Sequence, residues 1–112
     1  ASLIIEKLKK ESFIDEQRYA EAFVNDKIKF NKWGRIKIRQ ALRLKLVPEN
    51  IIEESLKNID KIEYKKILIS IINQKQKQIK HKEIDKIKAS LIRFATGRGF
   101  EFDRIMEVLE EM

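Results

Sequence analysis

Eight cationic side chains fall between Lys27 and Lys45 with no Asp or Glu among them: Lys27, Lys29, Lys32, Arg35, Lys37, Arg39, Arg43 and Lys45. An ordinary solvated helix face mixes signs, because i,i+4 pairs of opposite charge stabilise it and like charges repel. A one-sign stripe therefore asks for an anion. On a helix at about 100° per residue, Lys32, Arg35, Arg39 and Arg43 lie within roughly 80° of one another, while Ile38, Ala41, Leu42 and Leu46 form an adjoining apolar face. The chemistry this suits is polyanion binding, with DNA phosphates the commonest candidate. Basic residues along the helix's whole length favour backbone contact over the base reading of a helix-turn-helix recognition helix.

The surrounding charge sharpens the pattern. Net charge is +7. Lys27 to Lys45 carries +8 and Lys75 to Arg98 carries +6, whereas the remainder sums to −7. The second zone (Lys75, Lys77, Lys80, Lys82, Lys86, Lys88, Arg93 and Arg98) is interrupted by Glu83 and Asp85. Of it, Lys82, Lys86, Arg93 and Arg98 are candidate contributors to a discontinuous basic track with Lys32, Trp33, Arg35, Lys37, Arg39 and Arg43. Trp33 lies among cations, where burial between helices competes with base stacking or contact with a protein.

Other chemistries lack their residues. There is no cysteine and a single histidine, His81, so no thiolate or paired-imidazole metal site can form. Gly97-Arg98-Gly99 is not the Gly-x-x-x-x-Gly-Lys-Ser/Thr phosphate loop and reads as a helix end. The chain is expected to be no enzyme, to need no cofactor, and to be a cytoplasmic monomer outside any membrane, since no apolar run is long enough to span one.

The elements that must position these residues are helices. A chain of 112 residues, 43% hydrophobic and 38% charged, with three glycines and one proline, suits a compact all-α fold. A short amphipathic helix spans Ser2 to Lys10. Asp15 is placed to cap Glu16 to Phe30, whose Tyr19, Ala20, Phe23, Val24 and Phe30 recur at helical spacing. Gly34 breaks the chain before the basic helix, and Pro48 stands at the first position of Glu49 to Leu56. Asp60 and Glu63 resemble a capping box ahead of a long helix that includes Ile67 to Ile72; that β-branched run also suits a strand, but the flanking Lys and Gln residues extend it beyond strand length. Lys82 to Ala95 follows, with Ile84, Ile87, Leu91, Phe94 and Ala95 on one face. An acidic helix, Glu101 to Met112, closes the chain, and Phe94, Phe100 and Phe102 are expected in the core.

The second half repeats the first. At a shift of 53, Ile38 meets Leu91, Leu42 meets Ala95, Val47 meets Phe100, Ile52 meets Ile105 and Leu56 meets Leu109. At a shift of 45, Tyr19 meets Tyr64. The expected architecture is thus a tandem array of three-helix repeats, elongated and curved. Residues 1–12 would be the last helix of a preceding unit, with 13–58 and 59–112 two complete units.

The run Phe13-Ile14-Asp15-Glu16-Gln17-Arg18-Tyr19-Ala20-Glu21-Ala22-Phe23, then Gly34-Arg35 with Ile38-Arg39-Gln40-Ala41-Leu42, then Arg98-Gly99-Phe100 with Ile105 and Leu109, resembles the RecX regulatory proteins of bacteria. The resemblance covers nearly the whole chain. It implies tandem three-helix modules, here lacking most of the first, that bind RecA-type recombinase filaments on DNA and restrain ATP hydrolysis and strand exchange. The sequence departs from that pattern at Lys45-Leu46-Val47, which lacks the usual Gly, and at Gln40, where an acid is common. A free-standing, sequence-independent DNA-binding helical module is the alternative.

Overall fold

The computed structural model describes residues 15–80 and 83–111, so the expected helix at Ser2 to Lys10, the unit at residues 1–12, His81 and Lys82 lie outside it. All regular structure among the described residues is helical, and the chain is elongated. Helix α1 covers residues 15–26 and continues as a π-helical turn, Lys27–Asn31. It is followed by α2 (Arg35–Leu44), α3 (Glu49–Lys57), α4 (Lys61–Gln78), α5 (Ile84–Gly97) and α6 (Phe102–Glu111).

Several ends follow the expected local chemistry. Asp60 caps α4, its carboxylate accepting from the backbone N–H of Ile62 at 2.9 Å and of Glu63 at 3.4 Å. The β-branched run Ile67 to Ile72 is helical, because α4 buries Tyr64, Ile67, Leu68, Ile71 and Ile72 at the centre of the fold. Other ends differ. Asp15 is itself helical, the first described residue of α1, rather than a cap ahead of the helix. Pro48 is the N-cap of α3, with φ −58° and ψ 143°, rather than its first helical residue. α5 starts at Ile84, and Gly97 is still helical.

One apolar cluster runs the length of the described chain, through Val24 and Ile28 of α1, Ile38 and Leu42 of α2, Ile52 and Leu56 of α3, Leu68 and Ile72 of α4, Leu91 of α5, and Ile105 and Val108 of α6. Helices α4, α5 and α6 pack mutually, α2 packs on α3, and the π turn contacts α4. Phe100 is fully buried with its ring tilted against Tyr64 at 5.1 Å. Five residues expected on apolar faces are instead exposed: Tyr19, Phe30, Leu46, Ile84 and Phe102, with Leu46 past the end of α2 in left-handed backbone at φ 63°. Tyr19 and Phe102 sit at the edge of their helices' apolar arcs, Ile84 is the first residue of α5, and Phe30 lies in the π turn. There the wider helical step rotates side chains off the α-helical stripe.

The two halves are fitted backbone to backbone. The Gly34 N–H donates to the Arg98 carbonyl at 2.7 Å and the Ile36 N–H to the Gly99 carbonyl at 2.9 Å. A Cβ at Gly34 would lie 2.3 Å from backbone atoms of Gly99 and Phe100, so no side chain fits. Gly99 has φ 95°, and a Cβ there would meet the Cβ of Lys37 at 2.4 Å. Gly34→Ala should lower unfolding free energy by roughly 2 kcal/mol through overpacking. Asp60→Ala should lower it by about 1 kcal/mol through the lost cap. Urea melts monitored by circular dichroism read both, and a Gly34→Ala midpoint equal to wild type would contradict the fit.

Candidate nucleic-acid and filament interface

The site grows from α2. Its first residue, Arg35, donates its backbone N–H to the Tyr64 hydroxyl at 3.1 Å, and its guanidinium stacks over the Tyr64 ring at 4.1 Å while Nη1 donates to Glu101 Oε2 at 2.8 Å. The Tyr64 hydroxyl donates to the other oxygen of Glu101. Burial, then the bond to the Glu101 carboxylate, push the Tyr64 phenol well above its ordinary range. One turn on, Arg39 grips Glu53 of α3 with two bonds, at 2.8 and 3.3 Å. One turn further, Arg43 does the same to Glu49, at 2.5 and 3.3 Å. The paired Arg43 holds Glu49 below the usual carboxylate range.

The acids missing from the sequence around these arginines are therefore supplied by the fold. Arg35, Arg39 and Arg43 lie along one side of α2, as expected, but α3 and the turn before α6 answer all three. Lys32 is not on that stripe. It is the C-cap of the π turn, in left-handed backbone with φ 57°, and its Nζ donates to the Lys29 carbonyl at 3.2 Å.

The lysines behave differently. Trp33 is half-buried against the core, with the ammonium of Lys27 5.0 Å and that of Lys37 4.7 Å from its ring centre. Lys27 also sits 5.4 Å from the Phe23 ring, and Lys45 5.6 Å from it. Tyr19 stacks on Phe23 at 6.2 Å. Lys27, Lys37 and Lys45 form no ion pair with a described carboxylate. Aromatic faces hold these ammoniums without neutralising them, since a ring quadrupole offers attraction but no net charge. The result is a face alternating lysine and aromatic: Lys37, Trp33, Lys27, Phe23, Lys45. Lys37 lies about 200° around α2 from Arg39, so the open charge and the answered charge point to different sides.

The remaining expected residues divide. Lys86 is exposed and 3.7 Å from Glu83. Arg93 is exposed on α5. Arg98 donates to the Asn31 carbonyl at 3.1 Å and lies 5.2 Å from the Phe94 ring, beside Lys32. Phe23, Lys27 and Lys45 were not among the expected contributors. Their signal was the aromatic-x-x-x-Lys spacing of Phe23–Lys27 and Trp33–Lys37, which puts ring and ammonium within reach of each other. Among the described residues no group of three His, Cys, Asp or Glu could hold a metal ion, and no helix is long and apolar enough to cross a membrane.

Residues 15–56 match the family model described as RecX, second three-helix domain. The chain is 37% identical over 109 residues to the protein named Regulatory protein RecX from Clostridium botulinum strain Eklund 17B, covering 96% of this chain and 50% of that one. This stretch of sequence belongs to the RecX family. It is also 34% identical over 113 residues to the RecX of Clostridium acetobutylicum (97% of this chain, 52% of that one). To that of Oceanobacillus iheyensis it is 33% identical over 113 residues, with 97% and 40% covered. The chain thus spans about half the length of the curated RecX proteins it matches, all named as regulatory proteins rather than enzymes. No solved structure matches it.

Within this RecX chain, Tyr64→Phe should cost about 1–2 kcal/mol by removing the hydroxyl shared between Arg35 and Glu101. The pH dependence has a defined sign. A phenol raised in the fold contributes stability that is full below its unfolded value, about 10, and declines as pH rises beyond it. Wild-type stability should therefore fall more steeply above pH ~10 than that of Tyr64→Phe. Parallel declines would show that Tyr64 does not hold its proton in the fold.

Proposed function

We propose that this RecX chain binds a RecA-type recombinase filament on DNA and restrains ATP hydrolysis and strand exchange by occupying the filament, without chemistry of its own. The observation that carries the reading is the lysine–aromatic face of Lys27, Trp33, Lys37, Phe23 and Lys45, whose charge no described carboxylate answers. Such a face suits phosphates and acidic protein surface, because an anion there gains Coulomb energy that the folded chain leaves unspent. The three arginines of α2 act one step back, holding α2 against α3 and the turn before α6 so that the lysines keep their spacing. The two halves, read as units 13–58 and 59–112, would together present Lys32, Arg98, Lys86 and Arg93 along the same partner.

The test is ATP hydrolysis by the cognate recombinase on single-stranded DNA with this chain titrated in. Wild type should lower hydrolysis at concentrations where bare DNA is unbound. Replacing Lys27, Lys37 and Lys45 together by Ala should weaken the effect and flatten its salt dependence, by about 0.7 in log–log slope for each lost phosphate contact on a single strand. Arg43→Ala should leave it within about twofold, its exposed pair contributing little. Unchanged inhibition by the triple variant would overturn the assignment. Tight binding to bare DNA with no effect on hydrolysis would favour the free-standing DNA-binding module.

A further inference from the structure

Where the π turn approaches α4 and α5 there is a groove of about 240 Å3, walled by Phe30, Lys32, Gln74, Lys75, Phe94 and Arg98. No carboxylate lines it. Two of its cations converge on one ring: Lys75 Nζ lies 5.3 Å and the Arg98 guanidinium carbon 5.2 Å from the centre of Phe94. With no acid among the lining residues, these cations leave a local positive field. Two of the lining cations are tethered to backbone, Arg98 to the Asn31 carbonyl at 3.1 Å and Lys32 to that of Lys29 at 3.2 Å. Phe30 also lines the groove, on the π turn, with 78% of its surface exposed and no part in the core. π-helical turns concentrate at functional sites, and left-handed backbone at a non-glycine residue such as Lys32 is a local strain.

A ligand for this groove carries negative charge, a flat face for Phe30, and polar edges for the amides of Gln74 and its neighbour Gln78. From these walls we infer that the groove binds one nucleotide of single-stranded DNA, its base stacked on Phe30 and its phosphate held by Lys32, Lys75 and Arg98. Base stacking on an aromatic side chain with cations tracking the backbone is the general mode of single-strand binding. Duplex DNA does not serve, because its bases stay stacked on one another and only the phosphates are offered. An acidic protein segment supplies charge but no flat face. The site deepens the filament proposal, and rests on it only for its setting on recombinase-bound DNA.

Anisotropy of a labelled oligo-dT, compared with an abasic oligomer of equal length and charge, tests it. Wild type should bind oligo-dT about tenfold more tightly than the abasic strand. Phe30→Ala should abolish that preference while leaving abasic affinity unchanged, and Phe30→Trp should restore it. Lys75→Ala should weaken both strands alike. The exposed Phe30 can be replaced without touching the core, and circular dichroism checks the fold. No preference in wild type, a preference that survives Phe30→Ala, or equal competition by polyglutamate of matched charge would each overturn the inference. The hydrolysis assay separates the two readings. Inhibition without base preference defeats the groove alone, and base preference without inhibition defeats the filament proposal alone.

Discussion

The structure depends on one contact, the backbone fit of Gly34 against Gly99. Two hydrogen bonds and the absence of both Cβ atoms let the start of α2 lie directly on the turn between α5 and α6. Arg35, Tyr64 and Glu101 close around that fit, so the first residue of α2 is anchored to α4 and to the turn before α6. Everything on α2 takes its direction from there. Lys37 covers Gly99, the π turn is brought against α4, and the groove between them acquires its walls.

A second consequence is a division of labour between the two cation types. Guanidinium groups form planar two-point bonds, and Arg39 and Arg43 use them on Glu53 and Glu49. Ammonium groups are compact and lie over rings, and Lys27, Lys37 and Lys45 do so. The arginines thereby stabilise the helix packing, and the lysines keep net charge at the surface. Exposed pairs such as Arg43–Glu49 add little free energy. Their value is geometric, since they fix which side of α2 faces α3.

Much of this was legible in the residues. Among the described residues the order of the helices, the Asp60 cap and the helical state of Ile67 to Ile72 followed from spacing, because a 3.6-residue period is local. The tandem order of Gly34-Arg35 and Arg98-Gly99-Phe100 carried the family. Two things were not legible. The partners of Arg35, Arg39 and Arg43 lie 66, 14 and 6 residues away, so a stripe that looks unanswered in a window is answered in space. The π turn was invisible too, since one extra residue in a turn leaves no compositional mark, yet it moves Phe30 out of the core and Lys32 off the stripe.

The central claim is that the lysine side of α2, not its arginine side, meets the partner. A photo-crosslinking amino acid at position 37 and another at position 53 would be compared in the presence of the recombinase filament on single-stranded DNA. The account predicts crosslinks to filament protein or DNA from position 37 and none from position 53. Crosslinks from position 53 with none from position 37 would contradict it.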